Sequence, residues 1–450
     1  MAIRMPAIPP NQGELVKKLV EGQNGPAQFL KLLEKRVGPE PDGAYRPWDT
    51  VQHLDPPDGM TVEEWWLATK FARGAMYRPL PILDKEGKPF VYALTDTLMQ
   101  LLSEIDRNAG GHIQLPEEVT NAETRDRYIV SSLIEEAITS SQLEGASTTR
   151  RVAKEMLRND REPQDRSEQM IRNNYLAMQH IQQIKDEKFT VSRILELHGI
   201  VTDGTLDDPA EEGQFRTTDD VKVWSDDTIL HDPPLAVEID ERMKRMCDFA
   251  NEGKGEPYVH AVIRAITLHF WLGYVHPFAD GNGRTARALF YWSMLKSGLW
   301  LVQFVSISRL LRKAWAKYAR SYLHTETDDN DLTYFLLYNA EVLHRAINGL
   351  MRYLTRKARD VRQIVSLLRD ATNFNHRQLA LLGHALKHPL ARYSIKSHQV
   401  SHNVVYETAR TDLAALENCG LLISSQVGRK RLYNPARDLE NRLRAEYKLR

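Results

Sequence analysis

Twelve residues, His276 to Arg287 (HPFADGNGRTAR), constrain this 450-residue chain more than any other stretch. Residues 259–274 before them (VHAVIRAITLHFWLGY) are apolar with helical spacing and predict a buried helix. Pro277 opposes continuing that helix and biases His276 away from helical backbone. Ala279 to Gly283 is turn-rich, with two glycines able to take positive φ. A second helix is expected from Asn282 or Gly283 through RTARALFYWSMLKSG, ended by Gly298. This frame sets Gly281 and Gly283 at a helix N-terminus, where unpaired amides and the dipole favour an anion. Arg284 and Arg287, three apart, share one face of the first turn. The run thus gathers a base, a metal-type carboxylate, backbone amides and cations, the parts a phosphoryl-chemistry site needs. A capped helix after a solvated loop would account for the GNG alone but not for the whole run. No GxxxxGK[ST] occurs, so this is not a Walker A loop.

Length predicts about three domains. Residues 1–20 read as a flexible polar leader. Residues 21–125 read as a mostly helical region broken by Pro and Gly, as in DPPDG at 55–59, with a short strand leading into a helix closed by Gly110. Residues 126–350 are almost entirely helical in pattern. Residues 351–372 form a basic linker helix, and 373–450 a separate unit with a basic tail. The two cysteines, Cys247 and Cys419, are far apart, which argues against a disulfide framework and for a reducing, cytoplasmic setting. No signal-peptide core and no run of eighteen apolar residues is present, so no membrane partner is expected. The net charge is zero, yet residues 351–450 hold 19 Lys and Arg against 8 Asp and Glu, a net of +11. Such a surface suits nucleic acid or an acidic protein, or is simply a charged helical tail.

Three further stretches carry information. Residues 127–145 have apolar positions Ile129, Leu133, Ile134 and Ile138, which predict an amphipathic helix C-capped by Gly145, with Ser140 and Glu144 on one face. In GQFRTTDDVKVW (213–224), Val221 and Val223 alternate with Lys222 and Trp224 as in a strand, and Asp219-Asp220 offers a turn. In 311–323, Tyr318 and Tyr322 share a helix face and read first as a core stripe. Beyond Asn375, three helices and two short strands around Val427-Gly428 are expected, in the order of a winged helix-turn-helix.

The run His276–Arg287 is similar to the Fic family motif HPFxDGNGRxxR at every fixed position, and Ser140 to Gly145 (SSQLEG) resembles that family's inhibitory pattern [S/T]xxxE[G/N]. The resemblance implies a mainly α fold, a Fic-type helical bundle with a small β-hairpin flap, plus the C-terminal winged helix-turn-helix. It implies transfer of AMP from ATP to a Ser, Thr or Tyr hydroxyl of a protein partner, itself included, with release of diphosphate. His276 would be the general base and Asp280 would hold Mg²⁺. Asn282 and the amides of Gly281 and Gly283 would cradle phosphate oxygens. Arg284 would hold the leaving diphosphate, Arg287 would reach the γ-phosphate, and Phe278 would be buried to fix the loop. Glu144, with Ser140 on the inhibitory helix 127–145, would pair with Arg287 and block productive ATP, as in the subclass with an N-terminal inhibitory helix. The flap, at about 213–225, would dock target by strand addition, with Thr217, Thr218, Val221 and Val223 facing it. The family often has a glycine turn after this strand, and here the sequence is SDDTILHDPP.

TARTDLxxLxxxGLL resembles winged-helix modules attached to many Fic proteins. Thr408, Arg410, Arg429, Lys430 and Arg431 could then meet DNA. Val405 stands in place of a serine cap, and Glu407 and Asp412 put negative charge on the reading helix, so protein docking or dimerisation competes with DNA contact. Relatives also regulate through homodimers. The alternatives to an autoinhibited AMP-transferase are a DNA-binding regulator with a Fic sensor domain, and a hydrolase that removes AMP with the same site.

Overall fold

The computed structural model describes residues 3–21, 25–110, 122–251, 257–369, 374–427 and 430–446. The chain is mostly helical and divides into two compact units, residues 1–111 with 132–347, and residues 112–131 with 348–450. Among the described residues no helix is long and apolar enough to cross a membrane.

In the first unit the site is carried by α1 (Ala122–Leu143, of which residues 132–143 belong here), α2 (Arg166–Ile184), α3 (Val191–Thr202), the hairpin β1 (Val223–Ser225) and β2 (Thr228–His231), α4 (Ala261–Val275), α5 (Asn282–Lys296) and α6 (Trp315–Thr327). Capping by Asp165, whose side chain accepts from Glu168 N, and by Thr190, accepting from Arg193 N, fixes where α2 and α3 begin. α4 and α5 are buried on nearly every face, as helices at the centre of a domain must be. They pack along each other, and Trp292 of α5 stacks on Phe189 at 3.9 Å between centroids.

The N-terminal region falls in the same compact unit as residues 132–347. Gln12–Glu21 is a helix. The hairpin Tyr77–Leu83 and Pro89–Ala93 bonds through Val91 to the loop before the long helix α7 (Thr333–Arg369). Lys70 Nζ meets Asp328 Oδ1 at 2.7 Å with both side chains almost fully buried. Tyr334 donates to Asp328 Oδ2 at 2.6 Å, and the hydroxyls of Tyr45 and Tyr77 donate to Asp331. Lys70, Arg73 and Asp328 form a buried ionic weld. The segment expected as a linker helix, 351–372, continues α7 without a break up to Arg369.

The second unit follows the order α8 (His376–Lys387), β3 (Tyr393–Ser394), α9 (Ile395–His402), α10 (Tyr406–Asn418), β4 (Leu422–Val427), β5 (Lys430–Pro435). Its three strands are antiparallel in the order β3-β5-β4. Its core joins Leu381, Leu382, Leu413, Leu416, Leu422 and Tyr433. Val405 supplies no side-chain cap to α10. Asp412 does not charge an exposed face: it is buried, bonded by Arg377, Asn375 and His398. Thr408 is half-buried. Arg410 is paired with Glu407 and Arg431 with Glu417. Lys430 opens β5, while Gly428 and Arg429 lie outside the described residues.

Replacing Lys70 by Met keeps volume but strands Asp328. Breaking a buried pair from one side costs about 3–5 kcal/mol. Urea unfolding of Lys70→Met should show a loss of that size, and a change below about 1 kcal/mol would mean that the pair is solvated.

Candidate active site

α4 stops because Pro277 follows. His276 takes the left-handed C-cap position (φ 46°, ψ 57°), and its N–H still bonds Leu272 O at 2.9 Å. A non-glycine residue is held there only by its surroundings. Arg216 supplies them: its Nε donates to His276 O at 2.9 Å, its backbone N–H to Pro277 O at 2.9 Å, and its other guanidinium nitrogens to Thr218 O and Pro234 O. One buried side chain thereby ties the loop after α4 to the segment that leads into the β1–β2 hairpin.

Phe278 is fully buried, as expected, and lies flat on His198 with centroids 3.7 Å apart and planes 5° apart. Gly213 N–H donates to His198 Nδ1 at 3.0 Å, so Nε2 carries the ring proton and donates to Asp280 O at 2.9 Å. Burial pushes the pKa of His198 down to about 4, in keeping with a neutral ring. Gly281 has φ 82°, and a Cβ there would lie 2.7 Å from Thr202 Cγ2, so both conformation and space demand glycine.

Asn282 departs from its expected role. Its Nδ2 donates to Phe278 O at 2.8 Å and its Oδ1 accepts from Phe278 N at 3.0 Å. The side chain is a buried staple across the loop. The first ladder bond of α5 runs from Thr285 N to Gly281 O, so the amides of Asn282, Gly283 and Arg284 precede the ladder.

The two arginines diverge. Arg284 is fully buried, donates to Val201 O at 3.0 Å, and leaves Nε and Nη2 without a hydrogen-bond partner. Its Nη2 stands 3.5 Å from Asp280 Oδ2, an ion pair beyond hydrogen-bond contact, and burial lowers its pKa. Asp280 has a half-exposed carboxylate whose other oxygen accepts from Gly281 N. Arg287, 2 % exposed, donates to Ser140 Oγ at 2.8 Å, to Ser140 O at 3.1 Å and to Glu144 Oε1 at 2.7 Å. Burial opposes its charge, Glu144 supports it most, and the balance is a raised pKa. α1 ends at Leu143, and Gly145 (φ 94°) turns the chain with Ala146 N bonded to Ser141 O, a Schellman closure. Glu144 therefore projects from just past the helix end. A Cβ on Gly283 would overlap its carboxylate, so Glu144 stands directly over the first turn of α5.

His276 Nδ1 faces Gly273 O at 3.2 Å, which leaves Nε2 as the acceptor. Burial drives its pKa to about 4, with the Gly273 carbonyl opposing and His231 adding to the fall. His231, the last residue of β2, has Nδ1 2.7 Å from Glu326 Oε2 and Nε2 2.7 Å from Tyr274 O. Both partners only accept, so both ring nitrogens donate. Burial works against this charge, but Glu326 and the carbonyl reverse it and raise the pKa.

The hairpin differs from expectation. Its turn is Asp226-Asp227, with Asp226 at φ 50°, and it extends to His231. Asp219 instead accepts from Ala236 N. Thr217 and Thr218 are exposed, Val221 and Val223 half-buried, and only Val223 lies in the strand. Tyr318 and Tyr322 are core residues: Tyr318 OH meets His269 Nε2 at 2.8 Å, and Tyr322 fills the space beside Gly273. Sequence reading passed over His198, Arg216 and His231. It also passed over Glu136, which accepts from Ser306 and Ser308 and pins α1. A lone buried histidine or glutamate carries no spacing signal.

Residues 188–294 match the sequence model of the Fic/DOC family. The chain is 33% identical over 114 residues to protein adenylyltransferase Fic of Nematostella vectensis, covering 25% of each chain. It is 34% identical over 113 residues to protein adenylyltransferase fic-1 of Caenorhabditis elegans, covering 25% of this chain and 20% of that one. It thus spans about a quarter or less of the length of these relatives. A crystal structure of a Fic family protein from Desulfovibrio desulfuricans superposes with a TM-score of 0.51 at 18% identity, covering 76% of this chain and 97% of the other. The chain contains a Fic/DOC domain and has the fold of that family.

With its pKa near 4, the His276 ring is neutral across pH 6–8 and protonates only in acid. Nitrogen-detected NMR of the ring should show the Nδ1–H tautomer unchanged down to about pH 5. A midpoint near the ordinary histidine value, about 6.5, would mean that the ring is solvated.

Proposed function

We propose that this chain transfers AMP from ATP to a hydroxyl of a protein and is held shut by its own Glu144. The observation that carries this reading is the pairing of two buried arginines with unequal partners. Arg284 keeps unpartnered N–H groups beside free helix amides, and Arg287 is closed by Glu144. In the open state the target hydroxyl gives its proton to His276 Nε2 as its oxygen attacks the α-phosphorus. The bond from that phosphorus to the bridging oxygen breaks, and diphosphate leaves with its charge met by Arg284 and the amides of Gly283 and Arg284. Arg287, freed of Glu144 but still held by Ser140, binds the γ-phosphate. Mg²⁺, bound through Asp280 together with phosphate oxygens and water, would supply neutralisation of the α- and β-phosphates. A single exposed carboxylate suits that hard cation, which takes few protein ligands.

Purified wild type, Glu144→Gly and Glu144→Gly/His276→Ala, incubated with labelled ATP and Mg²⁺, test this. Glu144→Gly should raise protein labelling by about tenfold or more. Removing the base from that variant should lower it by about 10²–10⁴. No rise with Glu144→Gly removes the lock. Persistence of transfer in the double variant removes the base.

A second reading concerns the C-terminal unit, which we propose is a winged helix that contacts DNA. It is favoured by the net charge of +11 in the last hundred residues and by the exposed Arg410 on α10, with Thr408 half-buried beside it. Arg410 and Glu407 are solvent-exposed and Arg431 is exposed against a half-buried Glu417, so phosphates can compete for both guanidiniums. The full chain should bind duplex DNA with a salt dependence that falls by about one in log–log slope on Arg410→Ala. Absence of binding at low salt would assign the unit to protein docking.

A further inference from the structure

The stretch before the first helix is packed. Ile3 is 7 % exposed and Pro6 is buried. Ile3 N–H donates to Ser225 Oγ at 3.1 Å, on the first strand of the flap. Four residues on, Ala7 N–H donates to Asp49 Oδ1 at 3.0 Å. Asp49 is ion-paired with Arg320 of α6, the helix whose Tyr318 and Tyr322 pack on His269 and Gly273. Four extended residues span about 14 Å at most. One short stretch therefore bridges the flap strand and a carboxylate held by the helix behind the site. Pro6, Pro9 and Pro10 fix φ at three positions and lower the entropy lost on ordering it.

The composition of this stretch is a separate observation. Residues 1–44 contain no Ser, Thr or Tyr, and the first hydroxyl in the chain, that of Tyr45, donates to the buried Asp331. A segment held on the flap of a hydroxyl-modifying enzyme would be consumed if it offered a nucleophile. Residues 3–7 (IRMPA) offer backbone, apolar side chains and the exposed Arg4, and no hydroxyl.

We propose that residues 3–7 are a strap in cis that occupies the flap in place of a target segment. The target that displaces it is an extended segment, also largely apolar and proline-tolerant, which carries a hydroxyl. This rests on the reading of residues 213–231 as the target-docking flap of a transferase. The strap is a second restraint, independent of Glu144, which acts on target docking rather than on the nucleotide.

The test uses the Glu144→Gly chain with and without residues 1–10, and a full-length Glu144→Gly/Ile3→Asp variant in case truncation disturbs folding. Each labels the full-length His276→Ala chain as acceptor, with ATP and Mg²⁺ saturating. Strap removal should raise labelling at low acceptor about fivefold through a lower KM for acceptor, with kcat unchanged. Equal or slower labelling by both strap variants overturns the proposal. If Glu144→Gly transfers no label at all, the transfer reading fails on its own, and hydrogen exchange then decides the strap. Amides of residues 221–231 should exchange about tenfold faster without residues 1–10, and unchanged exchange there overturns it.

Discussion

The site turns on a guanidinium with nowhere to go. Arg287 lies inside the helical core, and a buried cation without an anion costs several kcal/mol. Some negative group must face it. In this structure that group is Glu144, and in the proposed reaction it is a terminal phosphate. Because Ser140 Oγ and O hold the other side of the fork, Arg287 stays aimed when the carboxylate leaves. Glu136 fixes the helix behind Ser140 through two serines, so the exchange of anions involves a residue just beyond the helix end and does not require the helix to move. Locking is then a competition between two anions for one cation.

Around that cation the loop is held from two sides by residues that never touch a phosphate in the proposed mechanism. His198, neutral and flat on Phe278, bonds Gly213 before the flap and Asp280 within the loop. Arg216 bonds the carbonyls of His276 and Pro277. The base and the flap thus share their supports, and a disturbance of either reaches the other through hydrogen bonds rather than through loose packing. The doubly donating His231 adds a third tie, from the end of the hairpin to the last turn of the helix that carries the base.

Much of this was legible in the sequence. The break at Pro277, the helix start at Asn282 and the cap at Gly145 follow from residue type and spacing, while the burial of Phe278 and the pairing of Glu144 with Arg287 were what the family resemblance implied. What was not legible has physical reasons. Two Asp-Asp pairs lie seven residues apart, and local turn chemistry does not say that Asp226-Asp227 closes the hairpin while Asp219 caps a later segment. Lys70, Arg73 and Asp328 carry no burial signal in sequence because charge is normally exposed, whereas in the core Asp328 lies between both cations. Asp412 misled in the same way. The polar stretch 1–20 gave no periodicity for residues 3–10, whose order comes from distant partners, Ser225 and Asp49.

The staple made by Asn282 has a consequence for how nucleotide would be received. Its amide closes the loop onto the backbone of Phe278 at both donor and acceptor, so the turn is held by the chain's own hydrogen bonds. Association then loses little conformational entropy at the loop, and the free energy of the contacts goes into affinity and alignment. Such a cradle does not adapt its shape to its guest. Discrimination among phosphate-bearing molecules must come from whether a guest's oxygens match a fixed set of amides, and arrival should be a single fast step without a slow ordering phase.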